Sequence, residues 1–323
     1  GSIIKFMPYP IIVGFTSGIA VTIFSTQIKD LLGLQLETVP AEFFPKWGAY
    51  IQNIATIDWL TTLIGLGSIA IIIFTPKFLK KIPGSLIAIV FTTVLLYILK
   101  TYAGVGNLET IGERFIIDSQ LPQVSPIKFN IESVRILFPS AFTIAILVAI
   151  ESLLSATVAD GIIGTKHNAN MELVAQGTAN IITPFFGGIP ATGALARTAT
   201  NINNGGRTPV AGIIHSVVML MMLLFLGDLT KHIPMTSLAG VLAVVSYNMS
   251  EARSFKMLAK QSKGTLAILL TTFLLTVILG LTIAIEVGLV LSVVIFINRV
   301  SKTTNVSITK DKVRSEEHTS ELQ

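Results

Sequence analysis

The chain has 323 residues, 51% of them apolar and 13% charged, with a mean hydropathy of +0.75. A soluble surface needs about twice that charge, so a water-soluble enzyme, a secreted disulfide scaffold, a coiled coil and a disordered tail protein are all excluded. The absence of cysteine removes thiol chemistry and Cys-based metal sites, and the net charge of +5 is scattered over short loops without a basic stripe, which argues against nucleic acid and leaves the sign to report topology.

Apolar runs near or above the ~18 to 20 residues that cross a bilayer recur along the chain, notably at 137–150, 209–227 and 264–285. The expectation is an all-α polytopic membrane protein with segments at 9–32, 59–75, 83–103, 136–158, 171–187, 190–201, 209–227, 235–249, 264–283 and 284–300. Residues 33–58 and 104–135 read as long polar loops. Pro76 and Pro83 are expected to bracket a basic turn, while Pro139 and Pro209 each start a helix near its first turn. Gly14 and Gly18, four residues apart in the first segment, supply small residues for close helix packing.

The bases set an orientation. With the C-terminus in the cytoplasm, the inner side holds Lys5, Lys77, Lys80, Lys81, Lys166, Arg207, Arg253, Lys256, Lys260, Lys263, Arg299 and Lys302. The outer side holds Lys29, Lys46, Lys100, Arg114, Lys128, Arg135 and Lys231, spread over longer loops. Short loops count most in the positive-inside rule, so 76–82 and 250–263 are expected inside and 104–135 outside, in what reads as a bacterial inner membrane.

Two stretches place polar groups where they are costly. In Glu151-Ser-Leu-Leu-Ser155 a carboxylate and a hydroxyl lie four residues apart on one face of an apolar helix, able to hold one ion or share one proton. A charged carboxylate near mid-bilayer costs at least ~2.5 kcal/mol, so Glu151 must face a cavity, meet a cation or take up a proton; a neutral acid bridging two helices is the plainer alternative. In the second stretch, Pro184 to Asn201, two prolines and three glycines break the helix, and a half-helix starting near Pro190 would aim its free N–H groups and positive dipole end at an anion. Arg197, about two turns in, adds a full charge; its alternative is an anchor that snorkels to the interface. Asn168, Asn170 and Glu172 suit a helix cap, His215 a packed or hydrogen-bonded side chain, and Glu286 carries no assignment. The sequence has no H-E-x-x-H, Walker A or dinucleotide loop, so neither an enzyme nor ATP-driven transport is supported and no cofactor is expected.

With those residues in hand, the chain resembles the membrane domain of the sulfate permease family, also called solute carrier family 26. The resemblance covers residues 3–302. It rests on Pro8 to Gly18, Glu151 to Ser155, Asn170 to Gly177 with Asn180, Gly187 to Asn201, and Gly206 to Gly212. It implies fourteen segments in two inverted seven-segment halves, as in the uracil-transporter fold, followed by a cytoplasmic STAS domain. On that map residue 9 opens the fifth segment, the transporter domain covers 1–303, and 304–323 is a cytoplasmic tail whose residues 314–323 resemble read-through of a sequencing adaptor. The first four segments and the STAS domain are then expected to lie outside the chain, which keeps a complete gate but half a core and is not expected to transport alone.

The resemblance also implies roles. Glu151 matches the ion-coupling position, Ser155 the hydroxyl one turn on, and Ala194, Leu195, Ala196 and Arg197 the half-helix around the anion. The implied activity is secondary active transport of a small inorganic anion, sulfate ahead of others, by an elevator-type shift of core against gate. Glutamate in place of the aspartate of Na+-coupled bicarbonate members tilts the coupling toward protons. Na+-coupled bicarbonate uptake with Na+ at Glu151 and Ser155, dicarboxylate transport and an anion channel stand as alternatives. The implied partners are the anion, a proton or Na+, the bilayer and a second copy in a homodimer.

Overall fold

The computed structural model describes residues 9–79, 82–104, 108–117, 120–126, 130–261, 263–280, 283–284, 287, 290–291 and 294. Lys5, Lys80, Lys81, Lys128, Arg299, Lys302, Glu286 and most of the segment at 284–300 lie outside these residues.

Twelve helices are formed among them: α1 (Tyr9–Leu32), α2 (Phe43–Gln52), α3 (Trp59–Phe78), α4 (Gly84–Ala103), α5 (Ile111–Arg114), α6 (Ile131–Ile163), α7 (Ala169–Ile182), α8 (Leu195–Asn203), α9 (Val210–Thr230), α10 (Met235–Met249), α11 (Ala252–Ala259) and α12 (Lys263–Ile278). Five of these, α1, α3, α4, α6 and α9, are long and apolar enough to cross a membrane. Their ends follow local chemistry. The Asp58 carboxylate accepts from the N–H groups of Leu60 and Thr61 at the start of α3, and Asn168 does the same for Asn170 and Met171 at the start of α7. Gly104 and Gly164 close α4 and α6 in the left-handed conformation.

Two proline expectations are corrected. The helix α6 begins at Ile131, where the Asn130 side chain accepts from Glu132 N–H, so Pro139 and Arg135 both lie inside it. A capping side chain upstream outweighs the preference of proline for a first turn. Likewise α3 continues through Pro76 to Phe78, because a proline in the last turn of a helix gives up only one backbone bond. The polar loops also hold more structure than expected, with α2 inside 33–58 and α11 inside 250–263.

The helices pack in two groups. The first is centred on α1, with α10 antiparallel and α12 parallel to it, α3 beside α10, and α4 on α3. At Gly14 and Gly18 the α1 backbone meets α12 so closely that a Cβ would sit 2.6 Å from the Leu269 carbonyl oxygen and 2.6 Å from Thr276 Cβ respectively. Only glycine fits there. Hydroxyls knit the rest: Ser17 Oγ donates to the Ser250 carbonyl, Thr92 Oγ1 to Ser237 Oγ, Ser68 Oγ to the Ser237 carbonyl and Thr236 Oγ1 to the Thr61 carbonyl. These bonds cross between helices where lipid offers no partner.

The second group is α6, α7 and α8, with α6 against both others. Among the described residues the two groups touch only slightly. The helix α9 is apolar along its length and almost wholly exposed, the surface a lipid-facing span presents; His215 is exposed on it, and not packed as the sequence suggested.

At one end of the first group an ion cluster ties the loop before α5 to α1. The Arg114 guanidinium donates to both Asp30 oxygens at 2.9 and 2.7 Å and to Glu109, while Lys100 pairs with Glu113 at 2.7 Å. Two cavities of about 440 and 610 Å³ flank Arg114 here.

Candidate functional site

The site is built on a break. After α7 a 3₁₀ turn at Thr183–Phe186 ends at Gly187, whose φ of +73° only glycine adopts without strain. The chain then runs extended to Ala194 before α8 begins at Leu195. The half-helix therefore starts five residues later than the expected Pro190. Extended backbone inside the membrane needs hydrogen-bond partners that neither a helix nor lipid provides, and side chains from α6 and α7 supply them.

Asn180 acts as a stand-in for a β-strand. Its Oδ1 accepts from Ala191 N–H at 2.8 Å and its Nδ2 donates to the Ala191 carbonyl at 2.9 Å. Gln176, one turn earlier, donates to the same carbonyl at 2.5 Å and accepts from Ser152 Oγ at 3.0 Å. From α6, Ser152 Oγ also accepts from Gly193 N–H at 3.3 Å and lies 3.1 Å from Thr192 Oγ1. Thr192 Oγ1 donates to the Val148 carbonyl at 3.0 Å, and Ser155 Oγ to the Gly193 carbonyl at 3.4 Å. Ser152 and Ser155 are both buried, at 2% and 4% exposure.

Helix geometry sorts these α6 residues. At ~100° per residue, Val148, Ser152 and Ser155 lie within about 60° of each other and form the stripe that holds the extended segment. Glu151 falls about 40° beyond Ser155, at the edge of that stripe. It is half-buried, and among the described residues its carboxylate makes no hydrogen bond or ion pair.

The start of α8 is open. Ala194 sits at the N-cap with φ −108° and ψ 121°, and its methyl cannot cap. The first bond inside the helix is Thr198 N–H to the Ala194 carbonyl at 2.9 Å, which leaves the N–H groups of Leu195, Ala196 and Arg197 without intrahelical partners. Arg197 is thus in the first turn, where sequence reasoning put it two turns in, and its side chain is exposed. Unpaired donors, the positive helix end and a guanidinium come together over one turn. At the far end Arg207 donates to the Ile202 carbonyl at 3.0 Å.

The structure therefore places Glu151, Ser155 and the Ala194–Arg197 turn on neighbouring elements of one group, α6 and α8. Ser155 is engaged with the backbone of the break. Sequence reasoning gave no role to Ser152, Thr192 or Gln176, and Asn180 entered only through the family resemblance. The signal for Gln176 and Asn180 was their spacing: two amides at i and i+4 on an otherwise weakly polar helix face, next to a proline- and glycine-broken stretch. No group of three His, Cys, Asp or Glu side chains that could hold a metal ion occurs among the described residues.

Comparison with known proteins places this arrangement. The model of the sulfate permease family matches residues 1–272. The Bacillus subtilis (strain 168) protein YvdB, named as a candidate sulfate transporter, is 41% identical over 307 residues, which is 95% of this chain and 57% of that protein. The bicarbonate transporter BicA of Picosynechococcus sp. (strain ATCC 27264 / PCC 7002 / PR-6) is 34% identical over 328 residues, 97% of this chain and 56% of BicA. The chain thus spans somewhat over half the length of these relatives. Among solved structures, the transmembrane domain of a cyanobacterial BicA aligns with a TM-score of 0.73 at 30% identity, covering 90% of this chain and 70% of that one. The murine solute carrier 26 family member A9 anion transporter, in its inward-facing state, aligns at 0.78 with 20% identity over 90% of this chain and 48% of that one. The fold is part of that of these membrane domains, the inverted seven-plus-seven repeat, and the chain belongs to the sulfate permease family of integral, multi-pass membrane proteins.

Proposed function

We propose that the protein is a secondary active transporter of a small inorganic anion, sulfate ahead of bicarbonate, with the anion held at the start of α8. The observation that carries this reading is the uncapped first turn of α8 with Arg197 in it. N–H groups of a helix's first turn, which have no intrahelical partners, and a guanidinium suit a tetrahedral oxyanion. Sulfate ranks first because YvdB shares more of the sequence than BicA does; bicarbonate is the second reading, supported by the BicA likeness in both sequence and structure.

Coupling is assigned to Glu151. A carboxylate near a bound anion repels it unless neutralised, and a proton or Na+ would remove that repulsion. Ser155 spends its hydroxyl hydrogen on the Gly193 carbonyl, which leaves its oxygen lone pairs to serve a cation. The slight contact between the α6–α8 group and the α1-centred group supports an elevator-type movement of one against the other. The full-length protein is expected to have its C-terminus in the cytoplasm and to form a homodimer.

The test is anion binding and uptake by the full-length protein. Arg197→Ala should weaken anion binding by ~1.5 to 3 kcal/mol, the range for a charge-assisted hydrogen bond. Unchanged binding would make Arg197 an interfacial anchor. Glu151→Gln should retain binding and lose acceleration by an inward proton gradient, whereas wild-type uptake that requires Na+ and ignores pH would move the coupling to Na+.

A further inference from the structure

The helix α11 is a short amphipathic piece between α10 and α12, two helices packed on the membrane span α1. One side is fastened to the bundle. Leu258, at 5% exposure, packs with Val13 and Leu269, and Phe255 and Ala259 join the same cluster. Phe255 also stands edge-on to Phe273, with ring centroids 5.6 Å apart. Tyr9 Oη donates to Glu251 Oε2 and to Ser254 Oγ, each at 3.2 Å, which fixes α11 beside the first two turns of α1 and therefore at one end of the bundle.

The opposite side is basic. Arg253, Lys256 and Lys260 follow an i, i+3, i+7 spacing that puts them within about 60° of one another around the helix. Leu258 and Phe255 lie across from them, and Ala259 at the edge between the two faces. All three basic side chains are exposed, as is Lys263 at the start of α12, and none of the four forms an ion pair among the described residues. Met257, 60% exposed, sits beside the basic stripe and not on the packed face. A helix with a buried apolar face and an unpaired cationic face, fastened to the first turns of the membrane span α1, is held at the level where lipid headgroups begin.

We propose that this face of α11 binds anionic phospholipid headgroups, with Arg253, Lys256 and Lys260 on the phosphates, Lys263 adding to the field, and Met257 reaching the acyl boundary. Charge complementarity selects the occupant. Four cations without counter-ions, against one nearby acid, Glu251, that is already engaged by Tyr9, match a surface of phosphodiesters better than they match a neutral or zwitterionic one. The site is separate from the α8 turn, so it stands or falls independently of the transport reading.

The chain contains no cysteine, so Met257→Cys gives a single point for a spin label. The labelled chain is reconstituted in vesicles of phosphatidylcholine alone and of phosphatidylcholine with phosphatidylglycerol. Immobilisation of the label should rise when phosphatidylglycerol is present and fall back in high salt. With Arg253, Lys256 and Lys260 all changed to Gln, the phosphatidylglycerol dependence of the signal should be lost, because each base near such a surface contributes on the order of a fivefold preference. A label equally mobile in both vesicles, or equally immobilised in both as when a protein domain covers the face, overturns the proposal. So does a phosphatidylglycerol response that survives in the triple variant. Changing Lys166 and Arg207 to Gln, bases on the α6–α8 side, should leave the response intact; if it disappears there too, the effect is bulk charge and the assignment to α11 fails.

Discussion

The two helix groups use polar side chains in opposite ways. In the α1-centred group hydroxyls and glycines serve packing: Ser17, Ser68, Thr92 and Thr236 each bond across to a neighbouring helix, and Gly14 and Gly18 let α1 and α12 touch backbone to side chain. In the α6–α8 group Ser152, Ser155, Gln176 and Asn180 are spent on the backbone of one extended segment. That leaves the donors at the start of α8 unclaimed. A rigid partner needs its polar groups satisfied internally, whereas a binding element needs some kept free and held still. Under the proposed elevator-type movement, the α1-centred group would be the frame and the α6–α8 group the carrier.

The sharpest way to break the comparison is to attack the frame at its closest point. Gly14→Ala places a methyl 2.6 Å from a backbone oxygen that cannot swing aside, and Gly18→Ala meets Thr276 at the same distance. Each should destabilise by ~1 to 3 kcal/mol, and because both strain the same interface the pair together should approach loss of the folded bundle. Gly67→Ala, on α3 with nothing within 4 Å of its added Cβ, should be neutral or slightly stabilising. Thermal unfolding in detergent ranks the three. Equal losses at Gly14 and Gly67 would mean that helix propensity, not contact with α12, sets the effect.

On the carrier side the corresponding change is Asn180→Leu, which leaves the Ala191 N–H unpaired and removes one donor from its carbonyl. The expected cost is ~1 to 3 kcal/mol. More tellingly, protease should gain access to residues 187–194 while the α1-centred group stays resistant. Ser152→Ala should act in the same direction with a smaller effect, and Ser155→Ala less again, since Ser152 Oγ links Gln176 to the Gly193 N–H whereas Ser155 Oγ makes one long bond. If Ser155→Ala abolishes cation-dependent uptake without touching stability, its lone pairs rather than its backbone bond are what the protein uses.

How much of this was legible beforehand depends on the range of the interaction. Hydropathy and capping residues are local, so α1, α4, α7, α9 and α10 start where the sequence predicts to within two residues. The Gly14 and Gly18 contact was legible as well, because small residues one turn apart serve only close approach. The start of α8 was not. Pro190 is the local signal for a helix start, but Asn180 and Ser152 compete for the backbone of Ala191 and Gly193 and hold it extended, and nothing near Pro190 in sequence announces partners from two other helices. Moving the start to Leu195 brings Arg197 into the turn with the free N–H groups. The helix α11 was missed for a different reason: eight residues are too short for periodicity to separate from a basic loop.

The smallest expected effect lies at the Arg114 cluster, where the α1-centred group is pinned by charge instead of packing. Hydrogen bonds from Arg114 hold the Glu109 carboxyl below its ordinary value of 4.5, and those from Lys100 do the same for Glu113. A depressed carboxylate pKa contributes stability that is present above the unfolded value and disappears as pH falls through the folded one. Glu109 and Glu113 are 46% and 52% exposed, so solvent screening limits each pair to at most ~1 kcal/mol. Glu113→Gln should therefore lower the melting temperature slightly at neutral pH, and the gap from wild type should close as pH falls below 4.5 and through the lowered folded value, where the wild-type carboxyl takes up its proton. Added salt should narrow the gap at neutral pH in the same way. A gap that persists in acid would show that the Glu113 side chain acts through its bond to Thr110 N–H, at 2.8 Å, as the capping partner of α5, and that the charge of Lys100 contributes little to holding this loop on α1.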